Sequence, residues 1–256
     1  MKKQKYDIVY SLGYDCACAQ YMQSAQIRIC SGPFDWLTNA DFQTRLNLIL
    51  NDFENFLEFD DLKFLPKNQK MFNDPYCDYY ENTKNGFYYY HEFKTGENLA
   101  DLFNKIKEKY DRRIKRFNEN LRTKEKVLLI YFSHYPIKDE KTVNELCKAV
   151  CKKFNKTIDF LIIEYDENKK DNEIENYKLD DNITIYKLNT RKLDKEGNLT
   201  VPGNKHLVRP IFKKYELILP LKTKIKRKIL FNLSKIICPF IFNKKSRAKV
   251  KNYLRR

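Results

Sequence analysis

The sequence predicts an α/β fold, a mainly parallel sheet with helices on both faces, followed by a basic amphipathic C-terminal tail. Three observations carry this reading. Short apolar runs such as "VLLIYFS" (127–133) and "DFLIIEY" (159–165) have the composition of strands buried on both faces, as parallel strands are. Amphipathic stretches of helical length alternate with them. Residues 221–256 hold 13 Lys/Arg and no acid, which leaves only +3 of the net +16 charge on the other 220 residues. Residues 1–220 are therefore expected to form one α/β catalytic-type domain and 221–256 a membrane-interacting tail.

A strand is expected at 7–12, then a helix over 15–24 that begins near Cys16. "SGPFDWL" (31–37) reads as a loop. Thr38 to Asp41 has the spacing of a capping box for a helix with Phe42, Leu46, Ile49, Leu50 and Phe53 on one face. Residues 58–86, with two prolines and many Asn and Asp, read as a long irregular excursion. A strand follows at 86–93, then a helix over 97–122 with an apolar stripe from Leu99 to Leu121. Beyond the strand at 127–133 come a helix around Cys147, strands at 159–165 and 183–188, a turn-rich loop "VPGNKHLVRP" (201–210), and a last core segment at 211–219.

Several function classes are excluded on chemical grounds. The seven cysteines are odd in number and lack CxxC spacing, so neither a disulfide scaffold nor a zinc ribbon is expected. No glycine-rich phosphate loop and no HExxH is present, so neither a cofactor nor a metal is expected. Cys147 and Cys151 sit at the edge of an apolar helix face, where they read as packing residues. No secretory signal follows Met1-Lys2-Lys3, and a reduced, cytoplasmic chain is the expectation.

Cys16 holds the most interest. A strand that ends in a glycine turn and feeds a helix places the next side chains among unpaired backbone N–H groups, which favour a thiolate. Cys18, two residues on, is expected to point elsewhere. A Cys–His pair must draw on His91, His134 or His206, since the chain has three histidines. Arg113 falls inside the apolar stripe of its helix whereas Arg112 faces away. A cation on that face needs a partner, either a carboxylate such as Asp35 or an anionic group of a substrate.

The motifs "SLGYDC" with Ala19 after it, "SGPFDWL", "HEF" and "YDRRIKRF" leading into "KVLLIYF" resemble a bacterial family described as papain-like cysteine peptidases and associated with capsule and surface-polysaccharide genes. The resemblance spans residues 9–132. It implies Cys16 as nucleophile, His91 as its base and Asp35 as an orienting acid; Arg113, on its helix face, together with Arg116 and Trp36, makes up the substrate-binding candidates. Glu92 stands where the family more often has Asp, and Phe132-Ser133-His134 where a strand often ends in Arg. The implied chemistry is acyl transfer or hydrolysis on a polysaccharide, glycolipid or peptide substrate. The strand-Gly-x-x-Cys opening is also similar to the nucleophile turn of GDSL-type esterases and acyltransferases, and that alternative takes its histidine from the late loop, His206. A third alternative is a non-catalytic module that binds a glycan or nucleotide sugar.

The tail combines its basic residues with "ILFNLSKIICPFIF" (229–242), too short and too interrupted to span a bilayer. An interfacial helix on an anionic membrane is expected, at the inner face, rather than specific nucleic-acid binding.

Overall fold

A computed structural model of the chain describes residues 3–67, 74–195, 197, 199–201 and 203–254. Its centre is a five-stranded sheet of β2 (Ile8–Ser11), β7 (Val127–Phe132), β8 (Asp159–Tyr165), β10 (Ile183–Leu188) and β9 (Ile174–Asp180), in that spatial order. The first four strands are parallel and β9 closes the edge antiparallel to β10. The expected α/β fold is therefore the observed one.

Alternation within the strands explains why both faces carry helices. Tyr10, Leu129, Tyr131, Phe160 and Ile162 point to one side, where α2 (Phe42–Leu50), α3 (Leu99–Thr123) and α4 (Glu140–Phe154) pack. Val9, Ile130, Phe132, Leu161 and Ile163 point to the other, against α1 (Cys16–Ser24) and α5 (Lys205–Phe212). Each strand thus buries both faces, as its continuous apolar composition requires. Cys147 is buried in the first of these cores with Cys151 at its edge.

The excursion between α1 and α3 is more ordered than its composition suggests. β3 (Leu37–Asn39), β4 (Leu62–Leu65), β5 (Cys77–Asn82) and β6 (Phe87–Lys94) form a second, antiparallel sheet in the order β3-β6-β5-β4. The long irregular loop expected over 58–86 is corrected to two strands and their connections, with 68–73 outside the described residues. The polar residues that concealed these strands lie at turns: Asn82 accepts from the backbone N–H groups of Lys84 and Asn85. The expected cap at Thr38 is also corrected. Asp41 is the N-cap of α2 and accepts from Thr44 N at 2.8 Å, because Thr38 belongs to β3.

A two-stranded pair, β1 (Gln4–Tyr6) with β11 (Tyr215–Leu217), precedes the tail. The tail forms α6 (Leu221–Ile237) and α7 (Lys244–Leu254). α6 meets the rest of the chain where Arg227 Nη2 donates to Arg28 O at 2.8 Å and where Phe231 is buried. Among the described residues no helix is long and apolar enough to cross a membrane.

Candidate functional site

Parallel strands of one sheet end together, so the residues just beyond them share one edge. Pairing continues past β2 and β7: Leu12 N donates to Ile130 O at 2.7 Å and Tyr14 N to Phe132 O at 2.8 Å. One step along, Ser133 N donates to Ile163 O at 2.9 Å. The turn Leu12-Gly13-Tyr14-Asp15 is consequently laid beside Ser133-His134. Gly13 is required there because a Cβ at its position would stand 2.3 Å from Cys18 Cβ. Cys18 itself is fully buried, with Sγ 3.4 Å from Ile130 O.

Asp15 is the N-cap of α1, accepting from Ala17 N at 2.7 Å, and Cys16 is the first residue of the helix. Cys16 is half-buried, and its Sγ accepts from Gln20 Nε2 at 3.3 Å. Burial, and after it the Asp15 carboxylate, push the thiol up to about 12. The expected lowering by the helix N-terminus does not occur. Burial outweighs what the helix N-terminus offers, and the cap carboxylate, which accepts from Ala17 N, opposes a second negative charge beside it.

His134 is the histidine that the fold brings to this turn. Its Nε2 stands 3.6 Å from Asp15 Oδ2, and its Nδ1 stands 3.2 Å from Thr190 Oγ1. The Thr190 hydroxyl donates to Ser133 O at 3.0 Å, so we assign the imidazole proton to Nδ1 and a lone pair to Nε2, an atom that is buried without a hydrogen-bond partner. Burial and the Arg191 charge lower His134 to about 4, while burial raises Asp15 to about 6 against the opposing Ala17 N–H and the Arg45 charge. The approach of Asp15 and His134 is therefore not an ion pair at neutral pH.

Arg45 lies beneath the turn, wholly buried, donating to Tyr14 O at 3.3 Å and Asn39 O at 2.7 Å and stacked over Phe34 and Phe87. In front of the turn a cavity of about 580 Å³ is lined by Tyr14, Asn39, Phe42, Tyr131, Tyr135 and Lys138, among others. The Tyr14 and Tyr135 rings meet there at 5.0 Å.

The other site residues expected from the sequence lie as follows. His91 is exposed on β6 and makes no hydrogen bond to Cys16 among the described residues. Its neighbour Glu92 is engaged by Lys109 and by Tyr110 Oη. Asp35 is buried, but accepts from Arg28 Nη2 at 2.5 Å and Gly32 N at 3.1 Å rather than from a histidine. It closes the "SGPFDW" loop instead of orienting a base. Trp36 lies under Arg28, 5.6 Å from the guanidinium carbon to the ring centre. Arg113 stacks on Tyr110 at 5.1 Å and acts on Asp35 through its charge, while Arg116 Nη2 donates to Ser31 O at 2.6 Å. His206 is exposed and faces Asp171 O at 3.2 Å, and among the described residues it makes no hydrogen bond to Cys16, the pairing that the GDSL-type alternative needs. His134, one of the three histidines the sequence offers, is brought beside Asp15 by the parallel adjacency of β2 and β7.

These features define an α/β protein whose polar groups gather at the carboxyl ends of its parallel strands, around a half-buried cysteine and a buried carboxyl–imidazole pair. The chain belongs to the family described as "putative papain-like cysteine peptidase (DUF1796)", whose model matches residues 7–168. An uncharacterized protein of Acanthamoeba polyphaga mimivirus is 25% identical over 174 residues, covering 62% of this chain and 78% of the viral one. No solved structure matches.

Proposed function

We propose that the protein is a thiol-dependent enzyme of acyl transfer or hydrolysis, with Cys16 as nucleophile and His134 as the proton acceptor. One observation carries the reading: at the turn that presents Cys16, His134 holds an unbonded Nε2 lone pair beside Asp15. In the reaction Cys16 Sγ attacks the acyl carbon as its proton passes to His134 Nε2. The S–C bond forms, the bond to the leaving group breaks, and the proton is returned to that group. Water or an acceptor hydroxyl then takes the acyl group. Burial holds the resting thiol protonated, and the pairing of thiol and imidazole belongs to the substrate complex, since unliganded sites have looser geometry.

The working surface that fits best is the cytoplasmic face of an anionic membrane, with a glycan, glycolipid or peptide as substrate in surface-polysaccharide synthesis. Support comes from α6 and the residues after it: Leu221, Ile225, Ile229, Ile236 and Phe240 recur on an exposed stripe among lysines, and Phe242 is 93% exposed.

Acyl-adduct mass spectrometry with activated esters and thioesters tests the chemistry. The adduct is expected on Cys16, absent in Cys16→Ala, greatly slowed in His134→Gln and unchanged in His91→Gln. No adduct, or one indifferent to His134, overturns the proposal. A second reading, a non-catalytic glycan-binding module, is favoured by the bonding of Sγ to Gln20 and by the tyrosine-lined cavity. Under that reading saturable glycan binding is unaffected by Cys16→Ala.

A further inference from the structure

The "SGPFDW" loop is surrounded by more cationic groups than its own fold uses. Arg28 bonds Asp35 through Nε at 3.0 Å and Nη2 at 2.5 Å, and reaches Ser31 Oγ at 2.9 Å. Arg116, from α3, donates to Ser31 O at 2.6 Å. Arg227, from α6, donates to Arg28 O at 2.8 Å. Arg113, one turn before Arg116 on α3, contributes to the field at Asp35. Arg116 and Arg227 thus bond backbone carbonyls of this segment, Arg28 bonds its carboxylate and Arg113 adds its charge there; among the described residues Arg28–Asp35 is the one arginine–carboxylate ion pair.

Three of the four keep a buried nitrogen without a partner: Arg113 Nη1, Arg116 Nε and Arg227 Nη1. An orphaned buried N–H loses its bonds to water without replacement, and native proteins keep few of them. Three at one loop, all cationic, point to an occupant that supplies several acceptor oxygens together with negative charge. Carbonyls and water bring oxygens without the charge, and a lone carboxylate offers too few oxygens for three forks. A phosphate group has both, and planar guanidinium forks match its edges.

We infer that Arg28, Arg113, Arg116 and Arg227 form a phosphate-binding site between the "SGPFDW" loop, α3 and the tail helix. The ligand is a phosphate monoester, diester or pyrophosphate, carried by a soluble molecule or by a lipid headgroup. Arg227 ties the site to the helix that bears the exposed apolar stripe, so bound phosphate fastens the tail to the core. Cys16 and His134 play no part in the inference, and it stands or fails apart from the acyl-transfer reading.

The test uses the full chain, with inorganic pyrophosphate in calorimetric titration and, separately, phosphatidylcholine vesicles containing phosphatidic acid in a sedimentation assay. Saturable pyrophosphate binding is expected, weakened about tenfold or more in Arg113→Gln and Arg116→Gln and unchanged in Arg112→Gln, an exposed control on the same helix. Should either Gln variant misfold, Arg113→Lys keeps the charge but loses the fork and is expected to bind several-fold more weakly. Binding to vesicles alone, with the same dependence on Arg113 and Arg116, assigns the site to a lipid-borne phosphate. Binding to neither probe, or binding indifferent to both arginines, overturns the site.

Discussion

His134 Nε2 stands 3.6 Å from Asp15 Oδ2, yet the two groups are perturbed in opposite directions and each mainly by its own burial. Asp15 rises from 3.8 to about 6, so between those values the folded state holds a proton that the unfolded state has lost, and stability falls as pH rises. His134 drops from 6.5 to about 4, so in that window the unfolded state binds the extra proton and stability rises with pH.

In the wild type these slopes nearly cancel between pH 4 and 6. Asp15→Asn leaves the His134 term, and its stability is expected to climb from pH 4 to 6.5 by up to about 3 kcal/mol. His134→Gln leaves the Asp15 term and is expected to lose a comparable amount from pH 4 to 6. Denaturant unfolding across this range reads both. Parallel stability profiles for the three proteins contradict the assignment.

Cys16 is expected to react slowly with iodoacetamide at pH 8 in the native protein, because burial and the adjacent carboxylate hold the thiol protonated. Asp15→Asn removes the smaller of these two causes. Its labelling profile is expected to move to lower pH while staying above that of an ordinary cysteine. Fast labelling of the wild type at neutral pH is the contrary result.

Gly203 has φ +76°, and a Cβ there would stand 2.3 Å from Thr190 O and 2.5 Å from His134 Cε1. Gly203→Ala is expected to cost about 2–4 kcal/mol and to displace the imidazole from Asp15. Gly197, at φ +81° with nothing within 4 Å of a Cβ, is the control, expected to cost about 1 kcal/mol. Thermal unfolding of the two variants separates backbone strain from the clash. Equal losses would mean that Gly203 does not seal His134.

Phe240 and Phe242 are exposed at the end of the apolar stripe. Replacing both by serine in the full chain is expected to weaken binding to anionic vesicles several-fold without changing the unfolding temperature, and added salt is expected to weaken wild-type binding as well. A change in unfolding temperature with vesicle binding intact would place these residues in a protein interface.

The parallel core was legible because each strand is apolar on both faces, a pattern that half-exposed strands do not produce. The antiparallel sheet was less so. β4 presents Lys63 and Phe64 to solvent, and the segment around it is broken by turn-forming Asn and Asp. Edge strands of this kind leave a weak periodicity. The strand β9, with Ile174 and Glu175 exposed, escaped for the same reason.

Local sequence determined that a strand, a glycine turn and a helix would present Cys16, since the cap, the turn and the apolar run all lie within residues 8–24. It also determined that the positive charge belongs to the tail. Which histidine meets that turn was decided by the tertiary structure. His134 is 119 residues from Asp15 in the chain, and they meet because β2 and β7 pair in parallel and stop at the same level. The sign of the thiol's shift was decided there too. A helix N-terminus favours a thiolate wherever it is open to one, but here the cap carboxylate is buried beside the sulfur, and desolvation with like charge outweighs the helix field.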